Sequence, residues 1–252
     1  MLFARARSTA MLDGKRFEGD SKTMDYTEYL RTLNEGRTLS FLPVEIINKV
    51  QGSSKGDPNT FLGSGYRDAI RIIDELQAHG YDIAAMDRML DFGVGTGRVL
   101  LQLLPFSMKR YGCDVNPVAV EWTSGALGKL ADIRLSNPEP PLPYDSNFFD
   151  LAISLAVFTH IPLTEQSSWI AELARILKPG GCVIATTHDV SRMGALQNKV
   201  EWCETDVERG LHMNSYVTHP KLKQIWGTAF DVLEIRPYPT GQTHLIARRK
   251  LS

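Results

Sequence analysis

The sequence predicts an α/β protein built on a doubly wound, mostly parallel sheet, and three stretches of the 252-residue chain carry that expectation. Residues 91 to 97 read Asp91-Phe92-Gly93-Val94-Gly95-Thr96-Gly97, flanked by the apolar runs Met89-Leu90 and Val99-Leu100-Leu101. Such a run suits a buried strand that turns sharply into a helix. Lys109-Arg110-Tyr111-Gly112-Cys113-Asp114 follows as a short strand ending in an acid. Asn147-Phe148-Phe149-Asp150-Leu151-Ala152-Ile153-Ser154-Leu155 is a third buried strand, and an amphipathic helix comes after it. Strands alternating with helices at this spacing mark a parallel sheet with crossover helices.

Residues 1 to about 60 show little periodicity. Gly14, Gly19 and Gly36 interrupt charged stretches, Met24–Leu33 is a plausible short helix, and Gly52–Asn59 has the composition of a loop. From Tyr66 to His79 the apolar residues Ala69, Ile70, Ile72, Ile73 and Leu76 predict a helix, with Gly80 as its stop. Ser64-Gly65-Tyr66-Arg67-Asp68 would open that helix, and helix N-termini attract anions. In the turn at 93–97, glycine serves where φ is positive or where backbone approaches a ligand closely. The spacing is Gly-x-Gly-x-Gly, whereas a dinucleotide fingerprint would place its third glycine at 98, the position of Arg98. Asn116 and Pro117 then supply an N-cap and a first helical residue. Asp114, at a strand's carboxyl end, is placed to accept both hydroxyls of a ribose.

Asn137-Pro138-Glu139-Pro140-Pro141-Leu142-Pro143 reads as a rigid connection. Thr164–Leu177 carries Trp169, Ile170, Leu173, Ile176 and Leu177 on one stripe. Leu177-Lys178-Pro179-Gly180-Gly181 is expected to stop that helix and to lead into the strand Cys182–Thr186. Tyr216–Trp226 is expected as a helix, and Phe230–Arg236 and Thr243–Arg249 as the last two strands.

Asp-x-Gly-x-Gly-x-Gly, an acid after the second strand, Phe-Asp opening the fourth and Leu-Lys-Pro-Gly-Gly before the fifth together resemble the class I S-adenosylmethionine-dependent methyltransferases, over roughly residues 86 to 190. The resemblance implies a Rossmann-like, seven-stranded sheet closed by an antiparallel final hairpin. Residues 86–252 would form this methyltransferase domain, and residues 1–85 a helical cap or lid on the substrate side. It also implies S-adenosyl-L-methionine as cofactor. Gly93, Gly95 and Gly97 would let backbone approach its methionine and ribose parts, Asp91 would attract its ammonium group, and Asp114 with Val115 would meet the ribose side. Asn137 falls where the family binds the adenine amino group, the backbone at Ser154 would face the sulfonium, and Arg67 would pair with the methionine carboxylate.

A methyl acceptor often has to lose a proton, and histidine is the natural base near neutral pH. His160, just beyond the fourth strand, is the candidate catalytic residue, and His188, at the end of the fifth, is the second. His212, His219 and His244 have no metal-site spacing, so no metal is expected. Ser154-Leu155-Ala156-Val157 replaces the Asp/Asn-Pro-Pro-Tyr tetrad of base and amide N-methylating relatives, and that loop has no cysteine nucleophile. With a formal net charge of −1, no global field favours nucleic acid. The acceptor expected is therefore a small molecule, a sugar or a peptide, methylated on oxygen or nitrogen. Two alternatives remain, a non-catalytic module that binds the same cofactor and a nicotinamide-dependent oxidoreductase. Cys113, Cys182 and Cys203 lack metal spacing and suit a reducing compartment. No apolar run approaches the ~20 residues of a membrane span, and Met1–Arg5 leads into no apolar signal region, so a cytoplasmic protein is expected. The oligomeric state is open.

Overall fold

Along the central strands apolar side chains point alternately to both faces, as a sheet covered by helices on each side requires. The computed structural model describes residues 9–12, 15–18, 58–104, 106–196, 200–206, 213–238 and 241–251. It begins with an antiparallel hairpin, β1 (Thr9–Leu12) and β2 (Lys15–Glu18), in a region where only helix was expected. The helix expected over Met24–Leu33 lies outside the described residues.

Helix α1 (Pro58–Ala78) precedes β3 (Arg88–Phe92). β4 (Lys109–Asp114), α2 (Pro117–Leu127) and β5 (Asp132–Leu135) complete the first half of the sheet. β6 (Phe149–Ser154), α3 (Leu163–Ile176) and β7 (Leu177–Thr187) form the second. The hairpin β8 (Trp202–Asp206) and β9 (Met213–Val217), helix α4 (His219–Trp226), and the hairpin β10 (Phe230–Pro237) and β11 (Thr243–Arg249) finish the chain. The seven-stranded sheet has the order β10-β11-β7-β6-β3-β4-β5. β3 to β7 run parallel, and the final hairpin joins β7 antiparallel. The chain winds outward from β3 to β5 and then restarts at β6 on the other side of β3. Ligands bind at such a switch point, beyond the carboxyl ends of the strands.

On one face Leu90, Phe92, Ala152, Val183 and Ala185 pack under Trp169, Ile170, Leu173 and Ile176 of α3. On the other, Met89, Leu151, Ile153 and Ile184 pack under Ala69, Ile72 and Leu76 of α1. Among the described residues no helix is long and apolar enough to cross a membrane, and no cluster of His, Cys, Asp and Glu could hold a metal ion.

Four elements depart from the sequence expectation. α1 starts at Pro58, which suits a first helical turn, so Arg67 sits inside the helix rather than at its anion-attracting end. After the glycine turn there is no α-helix. A short 3-10 segment, Leu100–Leu103, takes its place before Pro105, which has no N–H to continue a helical ladder. Leu177-Lys178-Pro179-Gly180-Gly181 belongs to β7: Leu177 pairs with Phe149, then the register jumps so that Cys182 pairs with Leu151. Pro179 has no ladder donor and Gly180 has φ +79, so the intervening residues bulge out of the strand. Finally, Tyr216 is in β9, and α4 begins only after Thr218, whose hydroxyl accepts the Lys221 N–H at 3.4 Å.

Gly65 explains how α1 lies so close to the glycine turn. A Cβ there would stand 2.2 Å from the carbonyl oxygen of Arg98, a backbone atom that cannot swing aside. Gly65→Ala would gain ~0.5–1 kcal/mol of helix propensity but overpack the contact at a cost of ~1–3 kcal/mol. The overpacking wins, so the urea midpoint of Gly65→Ala is expected to fall; a midpoint at or above that of the unaltered protein would show that α1 shifts freely.

Candidate functional site

At the carboxyl ends of β3, β4 and β6 lies a cavity of about 900 Å³. Its floor is the turn after β3. There the N–H groups of Gly93 and Val94 both donate to the Cys113 carbonyl of β4, at 2.8 and 3.0 Å, and the Gly97 N–H donates to Val94 at 2.8 Å. Gly93, Gly95 and Gly97 have φ of +80, +52 and +72, the left-handed region that glycine enters without strain. Val157, on the loop after β6, leans into the space that a Cβ on Gly93 would fill, with Cγ2 at 2.2 Å. A Cβ on Gly97 would meet Thr123 and Leu127 of α2 at 3.2 and 3.3 Å. The glycines therefore let two other elements close on the turn.

Asp114, ending β4, organises the same turn from the side. One carboxylate oxygen accepts the Gly95 N–H at 2.8 Å and the other the Asn116 N–H at 2.9 Å. Asn116 in turn caps α2 through its side-chain oxygen, with Pro117 in the first turn, as its sequence implied. The Thr123 hydroxyl donates to the Gly95 carbonyl at 2.7 Å. Asp91 is 5% exposed and lines the cavity. Burial pushes its carboxyl up to about 7; Arg98 pulls it back and Asp114 adds a smaller push in the same upward direction.

The wall opposite the turn is the loop 155–162. Ala156 has φ +60 and donates its N–H to the Thr186 hydroxyl at 2.7 Å. Gln166 of α3 donates to the carbonyls of Phe158 and Ile161, at 3.1 and 2.9 Å, and the Ser215 N–H of β9 donates to Thr159 at 2.8 Å. The hairpin β8–β9 thus supports the loop that carries His160. The His160 N–H donates to Val157 at 2.8 Å, closing a turn that leaves the exposed imidazole at the cavity.

Of the residues the sequence singled out, Asp91, Gly93, Asp114, Val115, Arg67 and His160 line the cavity. Gly95 and Gly97 shape its floor without lining it. Ser154 is fully buried in β6 and Asn137 is exposed, neither of them on the lining, although Ser136 and Pro138 on either side of Asn137 are. His188 is also off the lining; it stacks on Tyr216 with ring centroids 5.0 Å apart, and burial lowers its pKa to about 4. Asp150, of the Phe-Asp pair, holds β3 in place by accepting the N–H groups of Asp87 and Arg88 at 3.0 and 2.9 Å.

The sequence gave no site role to Asp68, Arg71, Thr96, Trp169 or Glu165, which also line the cavity, and it marked Arg98 only as a missing glycine. The chemistry of the lining fits an adenosyl amino acid. A buried carboxyl faces the place of an ammonium, the Asp114 carboxylate keeps lone pairs beyond its two backbone donors, and Thr96 Oγ1 is buried with no hydrogen-bond partner among the described residues.

Residues 90–185 match the family model described as a methyltransferase domain. An uncharacterised methyltransferase of Geobacillus kaustophilus is 30% identical over 123 residues, 47% of this chain and 54% of the relative, so the match spans about half of that protein's length. Two solved structures share the fold. A SAM-dependent methyltransferase from Methanosarcina mazei has a TM-score of 0.58 at 22% identity, covering 70% of this chain and 98% of that one. The 1,6-didemethyltoxoflavin-N1-methyltransferase of Burkholderia thailandensis, solved with 1,6-didemethyltoxoflavin and S-adenosylhomocysteine, has a TM-score of 0.58 at 18% identity, covering 82% and 88%.

Proposed function

We propose that this chain, whose residues 90–185 match a methyltransferase domain, is a class I S-adenosylmethionine-dependent methyltransferase that transfers a methyl group from S-adenosylmethionine to a small-molecule acceptor. One observation carries the reading: Asp91, the glycine turn and Asp114 meet around one cavity at the switch point of the sheet. When bound, S-adenosylmethionine supplies the methyl as an electrophile on its sulfonium. What remains for the protein is binding, orientation and exclusion of water.

Asp91 receives the ammonium group in a buried place, where an ion pair is strong and its charge is otherwise costly. Asp114 receives the ribose hydroxyls while holding Gly95 and Asn116, so cofactor binding and order in the turn reinforce each other. Val115 packs beside them, and Arg67 reaches the cavity from α1 to meet the cofactor's carboxylate. Asn137 and Ser154 stay off the lining, so no contact with the cofactor is assigned to them. Across the cavity Leu155, Val157, Ile161 and Trp169 offer an apolar wall, which orients the acceptor's carbon skeleton. His160 and Glu165 stand at its polar edge, and His160 takes the proton the acceptor loses.

A small acceptor is supported by the net charge of −1 and by the small heterocycle in the Burkholderia neighbour. Calorimetric titration with S-adenosylmethionine, S-adenosylhomocysteine and NAD tests the cofactor, followed by a metabolite screen with a labelled methyl donor. Micromolar binding of the first two with none of NAD, and label passing to a small molecule, are expected. Binding without turnover on any acceptor would favour a cofactor-binding scaffold instead.

A further inference from the structure

Asp68, on α1, is 5% exposed, and both of its oxygens are taken. One accepts from the Arg98 guanidinium; the other accepts the Tyr238 hydroxyl and lies 3.4 Å from Arg71 Nη1. These donors come from three places: the turn after β3, the connection between β10 and β11, and the next turn of α1. One helical turn before Asp68, Gly65 lets the Arg98 carbonyl sit directly against α1. Arg98 is therefore gripped twice, at its backbone by Gly65 and at its guanidinium by Asp68. Asp68, Arg71 and Arg98 all line the cavity. A buried ion pair is a weak source of stability, since desolvation offsets most of its attraction. This one stands beside the buried carboxyl of Asp91, which forms no ion pair of its own among the described residues.

We propose that Asp68 and Arg98 are positioning residues for the cofactor: Asp68 holds the Arg98 guanidinium at the cavity wall, so that Arg98 supports charge on Asp91 without pairing with it. The carboxylate then stays open to an incoming ammonium group. This rests on the reading that the cavity binds S-adenosylmethionine. An arginine free to rotate would dock on Asp91 itself and compete with the cofactor, whereas no cation at position 98 would leave Asp91 protonated near neutral pH. Asp68 avoids both. Sharing the cavity with Asp91 are Arg98 on its own turn, Asp114 on β4, Arg67, Asp68 and Arg71 on α1, His160 on the loop after β6 and Glu165 on α3, and the buried Cys113 thiol of β4 is electrostatically coupled to it. Among these Arg98 is the largest influence that favours the charged form.

The test is carboxyl NMR of Asp91 in the cofactor-free protein as pH is varied, together with calorimetry of S-adenosylhomocysteine over the same range. In the unaltered protein Asp91 is expected to titrate near 7, and affinity should rise as pH passes through that value. In Asp68→Asn the Asp91 midpoint should fall, because Arg98 moves onto it, and affinity should drop about tenfold or more. In Arg98→Met the midpoint should rise, and the lost affinity should return partly at high pH. Arg98→Lys keeps the charge and should restore the midpoint, which a packing role would not require. Should Asp68→Asn fail to fold, Tyr238→Phe loosens the same carboxylate by one donor and should move the midpoint in the same direction by less. An Asp91 midpoint unmoved in Arg98→Met and in whichever Asp68 or Tyr238 variant folds would overturn the proposal and leave a structural ion pair. If the unaltered protein binds no S-adenosylhomocysteine, the cavity reading fails, while the midpoints still decide whether the clamp exists.

Discussion

Asp114→Ala is expected to weaken binding of S-adenosylhomocysteine by about 10²–10⁴-fold while the sheet stays folded. The carboxylate accepts the Gly95 and Asn116 N–H groups at 2.8 and 2.9 Å, and the ribose hydroxyls would fill its remaining lone pairs. Hydrogen bonds to a charged group contribute ~1.5–3 kcal/mol each. Losing the two to ribose therefore costs about 3–6 kcal/mol, and each 1.4 kcal/mol is tenfold in affinity. Release of Gly95 adds a cost of ordering the turn on binding. Asp114→Asn separates the contributions, since its amide oxygen can still accept the Gly95 N–H without the charge; it should fall between the two. Calorimetry measures both variants, with circular dichroism as the check on folding. Affinity in Asp114→Ala within twofold of the unaltered protein would end the ribose assignment.

The parts of this site that sequence made legible are those set by local chain chemistry. Alternate glycines between Asp91 and Gly97 announce a turn with positive φ, and all three glycines have it. Asn116-Pro117 announces a cap, because an Asx side chain before proline can satisfy the first free N–H groups of a helix and nothing else in reach does so better. The apolar stripe from Trp169 to Ile176 gave α3 to within a residue at each end, and the two terminal apolar runs gave the closing hairpin.

Tertiary choices were illegible. Asp68 meets Arg98 from 30 residues away and Tyr238 from 170, so no window of sequence contains either pair. A local trace was Gly65, expected at the opening of the helix and found inside it, where a glycine marks a close approach. In Leu177-Lys178-Pro179-Gly180-Gly181 the same punctuation serves a helix end or a bulged strand. Pairing of Leu177 with Phe149, a contact made by the sheet, decides for the strand. The β8–β9 hairpin escaped because its short strands lack a clear alternation, and their value lies in supporting the His160 loop through Ser215 and through Glu204, which accepts the Leu163 N–H at 2.8 Å.

His160→Ala is expected to lower kcat by about 10²–10⁴-fold, the usual contribution of a positioned general base, with little change in cofactor affinity. The imidazole stands at the cavity beyond β6, on the loop opposite the turn, and outside the cluster formed by Asp91, the glycine turn and Asp114. A base acts only while neutral, so kcat should fall on the acid side as the imidazole takes up its proton. Two other groups could imitate this limb, and each can be told apart. Burial pushes Asp91 up to about 7, but in the proposed role its charge would govern cofactor binding and so shape kcat/KM, leaving kcat at saturating cofactor untouched. Burial holds His188 near 4, and a limb due to it would survive in His160→Ala. His160→Ala should therefore abolish the acid limb of kcat while the limb of kcat/KM survives. If His160 only orders its loop, the variant loses stability and raises KM, and the kcat limb remains in place. Near-normal turnover with a flat profile would mean that proximity suffices and that no side chain takes the proton, as an apolar wall and a well-held cofactor can achieve without a base.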